Sequence, residues 1–197
     1  MLSRLRDHFL SRHGAWFWKH RHWLDRMWTD GYLNEESLNH PHRQYLLSAI
    51  SKYEPFNSLL EYGCGPGANL LLLSEKYPKA MFYGIDYEHA ISRAVQRGTI
   101  QYSLARPEGM VFDIFLTDAC LIYLESLMGI ADAIRMYSKH YIGVEWHSDK
   151  GPFVDFGHHV HNYRDYFHNA KITKLPHAVW PDNGWGKHGA LIEVNIQ

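Results

Sequence analysis

The stretch SLLEYGCGPGAN, residues 58–69, decides the fold of this chain. It begins with a short apolar run typical of a buried strand, and a leucine-rich segment of helical character follows its glycines. A strand, a glycine-rich turn and a helix in this order open a doubly wound α/β sheet, whose ligands bind at the carboxyl ends of the strands. Glycine lets the main chain approach a ligand closely, and the amide groups that open the helix favour an anion. We therefore expect a ligand at residues 63–67.

The rest of the chain continues this alternation of short apolar runs and helical stretches, which predicts a parallel sheet wrapped by helices. We predict strands at 58–62, 81–85, 100–104, 111–116, 141–146, 171–175 and 190–196, and helices at 67–77, 88–97 and 125–139. Two further helices are predicted before the sheet, at 16–28 and 38–53. The 197 residues are expected to form one domain, with residues 1–55 as a helical cap and 56–197 as the core.

Composition restricts the classes of partner. The chain is 46% hydrophobic with a formal net charge of −1, which is typical of a globular protein. Nucleic-acid binders usually carry a basic face, and nothing in this composition demands one, so we expect no nucleic-acid partner. No long uninterrupted apolar run predicts a membrane span or a signal peptide, so we expect a cytoplasmic protein. Cys64 and Cys120 lack metal-type spacing, and His159 and His161 have no third ligand nearby, so no metal site is expected.

The glycine turn admits two cofactor interpretations. Residues 63–68 match the Gly-x-Gly-x-x-Ala form of the dinucleotide fingerprint, a weak signal when it stands alone. Glu61 and the third glycine, Gly67, instead complete a Glu-x-Gly-x-Gly-x-Gly pattern. Asp86 follows the second predicted strand, where a carboxylate accepts hydrogen bonds from both ribose hydroxyls, and both cofactor types use such a residue. A tight turn without a ligand, beside a solvated acid, is the simplest alternative.

Residues 58–146 resemble the class I S-adenosylmethionine-dependent methyltransferases, and in particular their small-molecule members. Three segments carry the resemblance: 60–69, 83–86 and 112–124. The resemblance implies a Rossmann-like, mostly parallel sheet of seven strands in the order 3-2-1-4-5-7-6, whose last strand is antiparallel, with two extra N-terminal helices. It also implies S-adenosylmethionine as the cofactor.

The resemblance further implies roles for individual residues. The three glycines would line the methionine and ribose part of the cofactor, Asp86 would bind the ribose and Tyr87 would lie against the adenine. Asp118 would face the cofactor's amino group or the reacting centre, although it is equally suited to cap the next helix. The third strand is not followed by the Asp that many members use for adenine, so backbone groups near Leu104 are expected to replace it. The predicted cofactor-binding residues are Glu61, Gly63, Gly65, Gly67, Asn69, Asp86, Tyr87, Leu104 and Asp118.

Methyl transfer needs alignment of the two reactants and, for a hydroxyl or amine acceptor, a base. We expect His147 to be that base, with Asp118 as the second catalytic residue, although a chain with 15 histidines places some near any cleft by chance. The predicted acceptor-binding residues are Tyr123, Trp146, His147, His158, Tyr163 and Arg164. The predicted activity is methylation of a small organic acceptor. The rival hypotheses are an NAD-dependent oxidoreductase and a catalytically silent scaffold of the same fold.

Overall fold

The computed structural model describes residues 33–196, and the helix predicted at 16–28 lies outside these residues. The helices are α1 (Glu35–Leu38), α2 (Pro41–Ile50), α3 (Ala68–Lys76), α4 (Glu88–Ile91), α5 (Met128–Tyr137) and α6 (Asn183–His188). Short 3-10 helices span Ser51–Tyr53, Leu121–Tyr123 and Tyr163–Asp165. The strands are β1 (Ser58–Tyr62), β2 (Met81–Ile85), β3 (Ile100–Ser103), β4 (Phe112–Asp118), β5 (Ser138–Trp146), β6 (Phe153–Asp155), β7 (His158–Val160), β8 (Lys171–Lys174) and β9 (Gly189–Asn195).

Seven of these strands form one sheet in the order β3-β2-β1-β4-β5-β9-β8. Strands β1 to β5 are parallel to one another, and β9 runs antiparallel to both of its neighbours. Strands β6 and β7 pair separately as a small antiparallel hairpin. With this hairpin set aside, the order is the predicted 3-2-1-4-5-7-6, so the predicted fold class is confirmed.

Apolar side chains cover both faces of the sheet, as a parallel sheet requires. On one face α2 and α3 pack against the strands, in a core layer that includes Leu46, Ile50, Leu70, Leu73, Ile114, Ile142, Trp146 and Trp185. On the other face α5 covers a layer that includes Leu60, Phe115, Ala131, Ile134, Tyr141, Tyr163 and Phe167. The carboxyl ends of β1, β2, β4 and β5 therefore meet at one edge of the sheet, between the two apolar core layers. No helix within residues 33–196 has the length and apolar character needed to cross a bilayer.

Several predicted boundaries were wrong. The helix predicted at 88–97 ends at Ile91. Short helices need packing against the rest of the protein to be stable, and between Ile91 and Gly98 only Ala94 is buried. The helix predicted at 38–53 is divided: α2 begins at Pro41, with His40 as its N-cap, and a separate turn precedes it. The hairpin β6–β7 and helix α6 were not predicted. Strand β4 continues to Asp118, since it stays paired with β5 over its whole length.

Gly84 in β2 shows how tightly the sheet packs under the glycine turn. A Cβ atom on Gly84 would lie 2.7 Å from Cys64 Sγ, 2.8 Å from Tyr102 Cδ1 and 2.9 Å from Leu70 Cδ1. These three side chains come from the turn, from β3 and from α3. The missing side chain of Gly84 therefore lets the three elements close over β2.

We expect Gly84→Ala to lower the free energy of unfolding by about 1–3 kcal/mol, because an added methyl in a filled core forces its neighbours apart. Gly129→Ala is the matched control, since Gly129 is exposed in α5 and a Cβ there meets nothing within 4 Å among the described residues. That change should leave stability unchanged or raise it by about 0.5–1 kcal/mol. Urea unfolding measures both variants, and equal stability of the two would contradict the packing described for Gly84.

Candidate functional site

The glycine turn joins β1 to α3, and its three glycines have positive φ angles: +74° at Gly63, +55° at Gly65 and +87° at Gly67. A Cβ atom on Gly63 would collide with the side chain of Cys120, and one on Gly67 would collide with the Tyr102 hydroxyl. At Gly65 no described atom lies within 4 Å of the Cβ position. Two of the glycines are thus required by contacts inside the protein, whereas the main chain at Gly65 borders open space.

Asp86, one residue beyond β2, fixes the open side of this turn. Its Oδ2 accepts the Gly65 N–H at 2.7 Å, and its Oδ1 accepts the Tyr87 N–H at 2.6 Å. Burial raises the pKa of Asp86, and the two backbone hydrogen bonds oppose this shift. Each carboxylate oxygen keeps a second lone pair, so hydrogen bonds to a ligand remain possible. Ribose binding by Asp86 stays a prediction, and the structure adds a role in holding the turn.

Asn69, in the first turn of α3, links four elements through its side-chain amide. Its Nδ2 donates to Glu61 Oε1 at 2.7 Å and to Asp118 Oδ2 at 2.9 Å. Its Oδ1 accepts a hydrogen bond from Nη1 of Arg43 in α2. Predicted as a cofactor-binding residue, Asn69 is buried, and all of its side-chain hydrogen-bonding groups have partners within the protein.

The two carboxyl groups that share Asn69 differ in protonation. Burial raises the pKa of Glu61 to about 8, so it carries a proton at neutral pH. Burial alone would also raise the pKa of Asp118, but His42 and Arg43 outweigh it and bring this pKa to about 2. The guanidinium of Arg43 lies 3.7 Å from Asp118 Oδ2, and both side chains are buried. The site therefore holds one buried anion beside a buried cation.

Within the described residues, each of these two carboxyl groups has one polar atom without a hydrogen-bond partner. Glu61 Oε2 and Asp118 Oδ1 are buried, and neither has a hydrogen-bond partner among residues 33–196. Unsatisfied polar atoms are rare in protein interiors, so each of these two atoms is a candidate contact for a bound group. They lie at the carboxyl ends of β1 and β4, on either side of Asn69. This position suits a ligand group that carries several hydrogen-bond donors.

The loop after β4 is held in place from β5. Glu145 is fully buried, and its carboxyl oxygens accept the N–H groups of Cys120 and Leu121, each at 3.1 Å. Burial raises the pKa of Glu145 to about 8. Because the Cys120 side chain rests against Gly63, Glu145 also positions the underside of the glycine turn.

Three of the predicted acceptor-binding residues come together beyond β4 and β5. The rings of Tyr123 and His158 have centroids 5.0 Å apart, and those of Trp146 and His158 are 4.9 Å apart. Trp146 ends β5, Tyr123 belongs to the 3-10 helix after β4, and His158 begins β7. The hairpin missed by the sequence prediction thus supplies one side of this aromatic group.

Further aromatic residues, which sequence reasoning missed, extend this group toward α2. Trp185 lies edge-on to Trp146 with centroids 5.8 Å apart, and Trp180 stacks on Trp185 at 4.0 Å. The His42 ring is 4.2 Å from Trp180, and its Nε2 is 3.1 Å from Asp118 Oδ2. We call the row Tyr123, His158, Trp146, Trp185 and Trp180 the aromatic wall. It leads from the loop after β4 to the buried polar network.

The sequence indicates that His42 and Arg43 belong to the buried face of α2. His42 and Arg43 precede Leu46 by one helical turn, on the face of α2 that also buries Ala49 and Ile50. Polar residues on the buried face of an amphipathic helix need partners, so their position predicts buried hydrogen bonds for both side chains, without showing which residues supply them.

The other predicted acceptor-binding residues form a separate group. His147 Nε2 lies 3.2 Å from Asp149 Oδ1, and its Nδ1 accepts the Tyr163 N–H at 3.4 Å. Arg164 also donates to Asp149, whereas the Tyr163 ring is buried in the core layer under α5. Burial lowers the pKa of His147, and both of its ring nitrogens have partners. Catalysis by His147 and acceptor binding by Tyr163 and Arg164 stay predictions.

Tyr87 and Leu104 are both open to solvent. Tyr87 is 41% exposed at the start of α4, and Leu104 is 62% exposed just beyond β3. Their contacts with adenine stay predictions. Within the described part of the chain, no group of three or more His, Cys, Asp and Glu side chains is placed to hold a metal ion.

Comparison with known proteins gives matches among solved structures. No family model matches the chain, and no curated protein does. The plantazolicin methyltransferase BpumL in complex with SAH and a monoazolic desmethylPZN analog is similar, with a TM-score of 0.65 at 13% identity over 99% of this chain and 100% of that one.

Two further structures extend the likeness. The N-methyltransferase NodS from Bradyrhizobium japonicum WM9, in complex with S-adenosyl-L-homocysteine (SAH), has a TM-score of 0.63 at 16% identity over 83% of this chain and 89% of that one. The geranyl diphosphate C-methyltransferase from Streptomyces coelicolor A3(2) has a TM-score of 0.59 at 12% identity over 79% and 75%. The chain therefore has the fold of the class I S-adenosylmethionine-dependent methyltransferases.

Proposed function

We propose that this protein is an S-adenosylmethionine-dependent methyltransferase that acts on a hydroxyl or amine of a small organic acceptor. The observation that carries the proposal is the open main chain at Gly65, held by Asp86 at the carboxyl ends of β1 and β2. Open sheets of this kind bind ligands at that edge. Similarity to proteins crystallised with SAH supports S-adenosylmethionine as the cofactor.

The residues present fit this cofactor. The turn 63–67 lets a ligand approach the backbone, and Asp86 keeps lone pairs for the ribose hydroxyls. Among the described residues, the ionised Asp118 has a buried oxygen without a partner, which suits the hydrogen-bond donors of the cofactor's amino group, and the Glu61 carboxyl group lies on the other side of Asn69. Tyr87 and Leu104 border the region left for adenine. When bound, S-adenosylmethionine supplies a methyl group on a sulfonium, and these residues orient it toward the acceptor.

The acceptor side is proposed to be the aromatic wall. Tyr123 and Trp180 present partly exposed apolar ring surface and His158 adds a polar edge, and these rings rest on the buried rings of Trp146 and Trp185. Such a surface suits a small organic molecule with an apolar body and a polar reacting group. BpumL was crystallised with desmethylPZN analogs and the C-methyltransferase with geranyl-S-thiolodiphosphate, and neither molecule identifies the acceptor of this chain.

We also propose that residues 1–55 act as a cap over the acceptor side. Helix α2 supports this proposal, because it brings His42 and Arg43 against Asp118 and Trp180 at the edge of the sheet. The core, residues 56–197, then provides the cofactor side of the cleft.

Ligand binding separates this function from its two rivals. We expect SAH to bind with micromolar affinity, and at a concentration of about 100 times Kd to stabilise the native state by about 2.7 kcal/mol. For a domain of this size such stabilisation raises the melting temperature by roughly 5–10 °C, whereas NAD should leave it unchanged. A thermal shift with NAD and none with SAH would favour an oxidoreductase. Binding of SAH without transfer to any acceptor would favour the silent scaffold.

The open main chain at Gly65 predicts a variant that loses binding without losing the fold. A Cβ at Gly65 points into the space proposed for the cofactor, so Gly65→Ala should lower SAH affinity at least tenfold, about 1.4 kcal/mol. Gly109→Ala is the matched control, because Gly109 also has a positive φ, +70°, and open space at its Cβ, but lies away from the turn.

Both variants introduce the same backbone strain and should lose a similar stability, about 1 kcal/mol each. Calorimetric titration should therefore give a lower SAH affinity for Gly65→Ala than for Gly109→Ala, whereas urea unfolding should give similar free energies of unfolding for the two variants. Equal SAH affinities in Gly65→Ala and Gly109→Ala would show that the turn is not the cofactor site.

A further inference from the structure

Hairpin β6–β7 reverses direction through a two-residue loop, Phe156 and Gly157, between the paired residues Asp155 and His158. The φ angles of the loop are both positive, +47° at Phe156 and +78° at Gly157. Hairpin loops of this kind favour Asn followed by Gly, because a left-handed backbone is costly for most other residues. Gly157 fits this preference, whereas Phe156 opposes it. The hairpin therefore carries a large side chain where its backbone favours a small one.

Burial in the core does not explain Phe156 either. Phe156 is 45% exposed, whereas Phe153 of the same hairpin packs against the core layer under α2 and α3. Backbone outliers of this kind cluster at ligand sites, where a contact with the ligand outweighs the local cost. The Phe156 ring is thus held in a position that neither the hairpin nor the core requires.

Asp155 fixes the hairpin against α6. Its Oδ2 accepts hydrogen bonds from Lys187 Nζ at 2.5 Å and from His188 Nε2 at 2.7 Å. Its Oδ1 accepts the Phe156 N–H at 3.1 Å. His188 is itself buried, and its ring lies 5.6 Å from that of Trp146. The backbone of Phe156 therefore has a fixed position relative to the end of β5.

The Phe156 ring extends the aromatic wall. Its centroid lies 6.4 Å from that of Trp146, and the two rings are nearly perpendicular at 84°. The Phe156 carbonyl group accepts a hydrogen bond from His158 Nδ1 at 2.9 Å, and the His158 ring contacts Tyr123. Tyr123 belongs to the 3-10 helix after β4. Phe156 therefore lies on the acceptor side of the proposed site.

The surroundings of the Phe156 ring suit an uncharged aromatic group. Lys187 Nζ lies 5.8 Å from the ring centroid, and its charge is paired with Asp155. Because this cation already has a partner, it gives no preference for an anionic acceptor at the ring. Aromatic rings pair edge-on or with an offset, and such pairs stabilise a complex beyond the area that they bury. An exposed ring that continues a wall of other rings therefore favours a ligand that is itself aromatic.

We propose that Phe156 binds the acceptor, and that the acceptor has a flat aromatic body that lies against the Phe156 ring and the exposed part of the aromatic wall. The proposal rests on the methyltransferase function proposed above and names the class of its acceptor. The hydroxyl or amine of the acceptor points along the wall toward Asp118 and the glycine turn, where the cofactor is proposed to bind. Phe156 is thus a specificity-determining residue, which selects the body of the acceptor and takes no part in the chemical step.

Two small probes test the proposal in the SAH complex. p-Cresol carries an aromatic ring and a hydroxyl group, and 4-methylcyclohexanol has the same carbon skeleton with a saturated ring. We expect p-cresol to bind with a Kd of about 1–10 mM, and 4-methylcyclohexanol to bind about 2–10 times more weakly, because only p-cresol forms ring pairs. The NMR signals of the Gly157 amide and the Trp180 indole N–H follow both titrations.

Phe156→Asn removes the ring and gives the loop its preferred sequence. The buried part of the ring is lost but the left-handed position becomes favourable, so the melting temperature should stay within about 4 °C of that of the unmodified protein. The affinity for p-cresol should fall about 3–10-fold. Val154→Asn is the matched control, because Val154 is 50% exposed on the same hairpin but, as the strand neighbour of Phe153, lies on its other face. This control should bind p-cresol as the unmodified protein does.

Phe156→Leu is a second variant, which keeps apolar bulk without a ring and tests the proposal even if Phe156→Asn fails to fold. It should bind p-cresol and 4-methylcyclohexanol with equal affinity. The proposal would be overturned if the SAH complex did not bind p-cresol, if Val154→Asn lost as much p-cresol affinity as Phe156→Asn, or if Phe156→Leu kept the preference for p-cresol. A dimer that dissociates in Phe156→Asn would assign the ring to an interface between two copies and would overturn the proposal as well. Failure of the unmodified protein to bind SAH would instead overturn the proposed function, so the two failures are distinguishable.

Discussion

The hydrogen bonds of the Asn69 side chain hold the centre of this molecule together. Its amide group donates to Glu61 and Asp118 and accepts from Arg43, so one buried residue connects β1, β4, α2 and α3. Each partner is buried, and removing the amide would leave polar groups unsatisfied at a cost of about 1–3 kcal/mol each. The position of the glycine turn relative to α2 and the loop after β4 therefore depends on this one side chain.

The same interaction sets the electrostatics of the proposed site. Two ionised carboxylates hydrogen-bonded to one buried amide would repel each other. A proton on Glu61 removes one of the two negative charges, and an ion pair with Arg43 stabilises the other charge, on Asp118. His42 extends this arrangement outward to His40. A fixed buried anion thus stands between the region proposed for a cationic cofactor and the hydrogen-bonded pair His42 and His40. We consider this coupling the physical basis of the proposed activity.

The sequence predicted what depends on local pattern. Residues 58–69 specified the strand, turn and helix, and Asp86 could be assigned to the end of β2 because the apolar run at 81–85 stops directly before it. The sheet order followed from the family resemblance. The contact between His42 and Asp118, which are 76 residues apart, was beyond such reasoning, since periodicity shows that a side chain is buried but not which partner it meets. The hairpin β6–β7 was missed for a similar reason: its strands are only three residues long, so they show little alternation.

A crystal structure of the protein with SAH tests the central claim most directly. The account predicts that the ligand lies along residues 63–67, with its ribose hydroxyls hydrogen-bonded to Asp86. Its amino group should be hydrogen-bonded to Glu61 or Asp118, each of which has one buried polar atom without a partner among residues 33–196. Asn69 should keep its bonds to both carboxyl groups, because the cofactor site depends on them. SAH bound elsewhere on the protein, or bound at the turn with its amino group away from both carboxyl groups, would contradict the account.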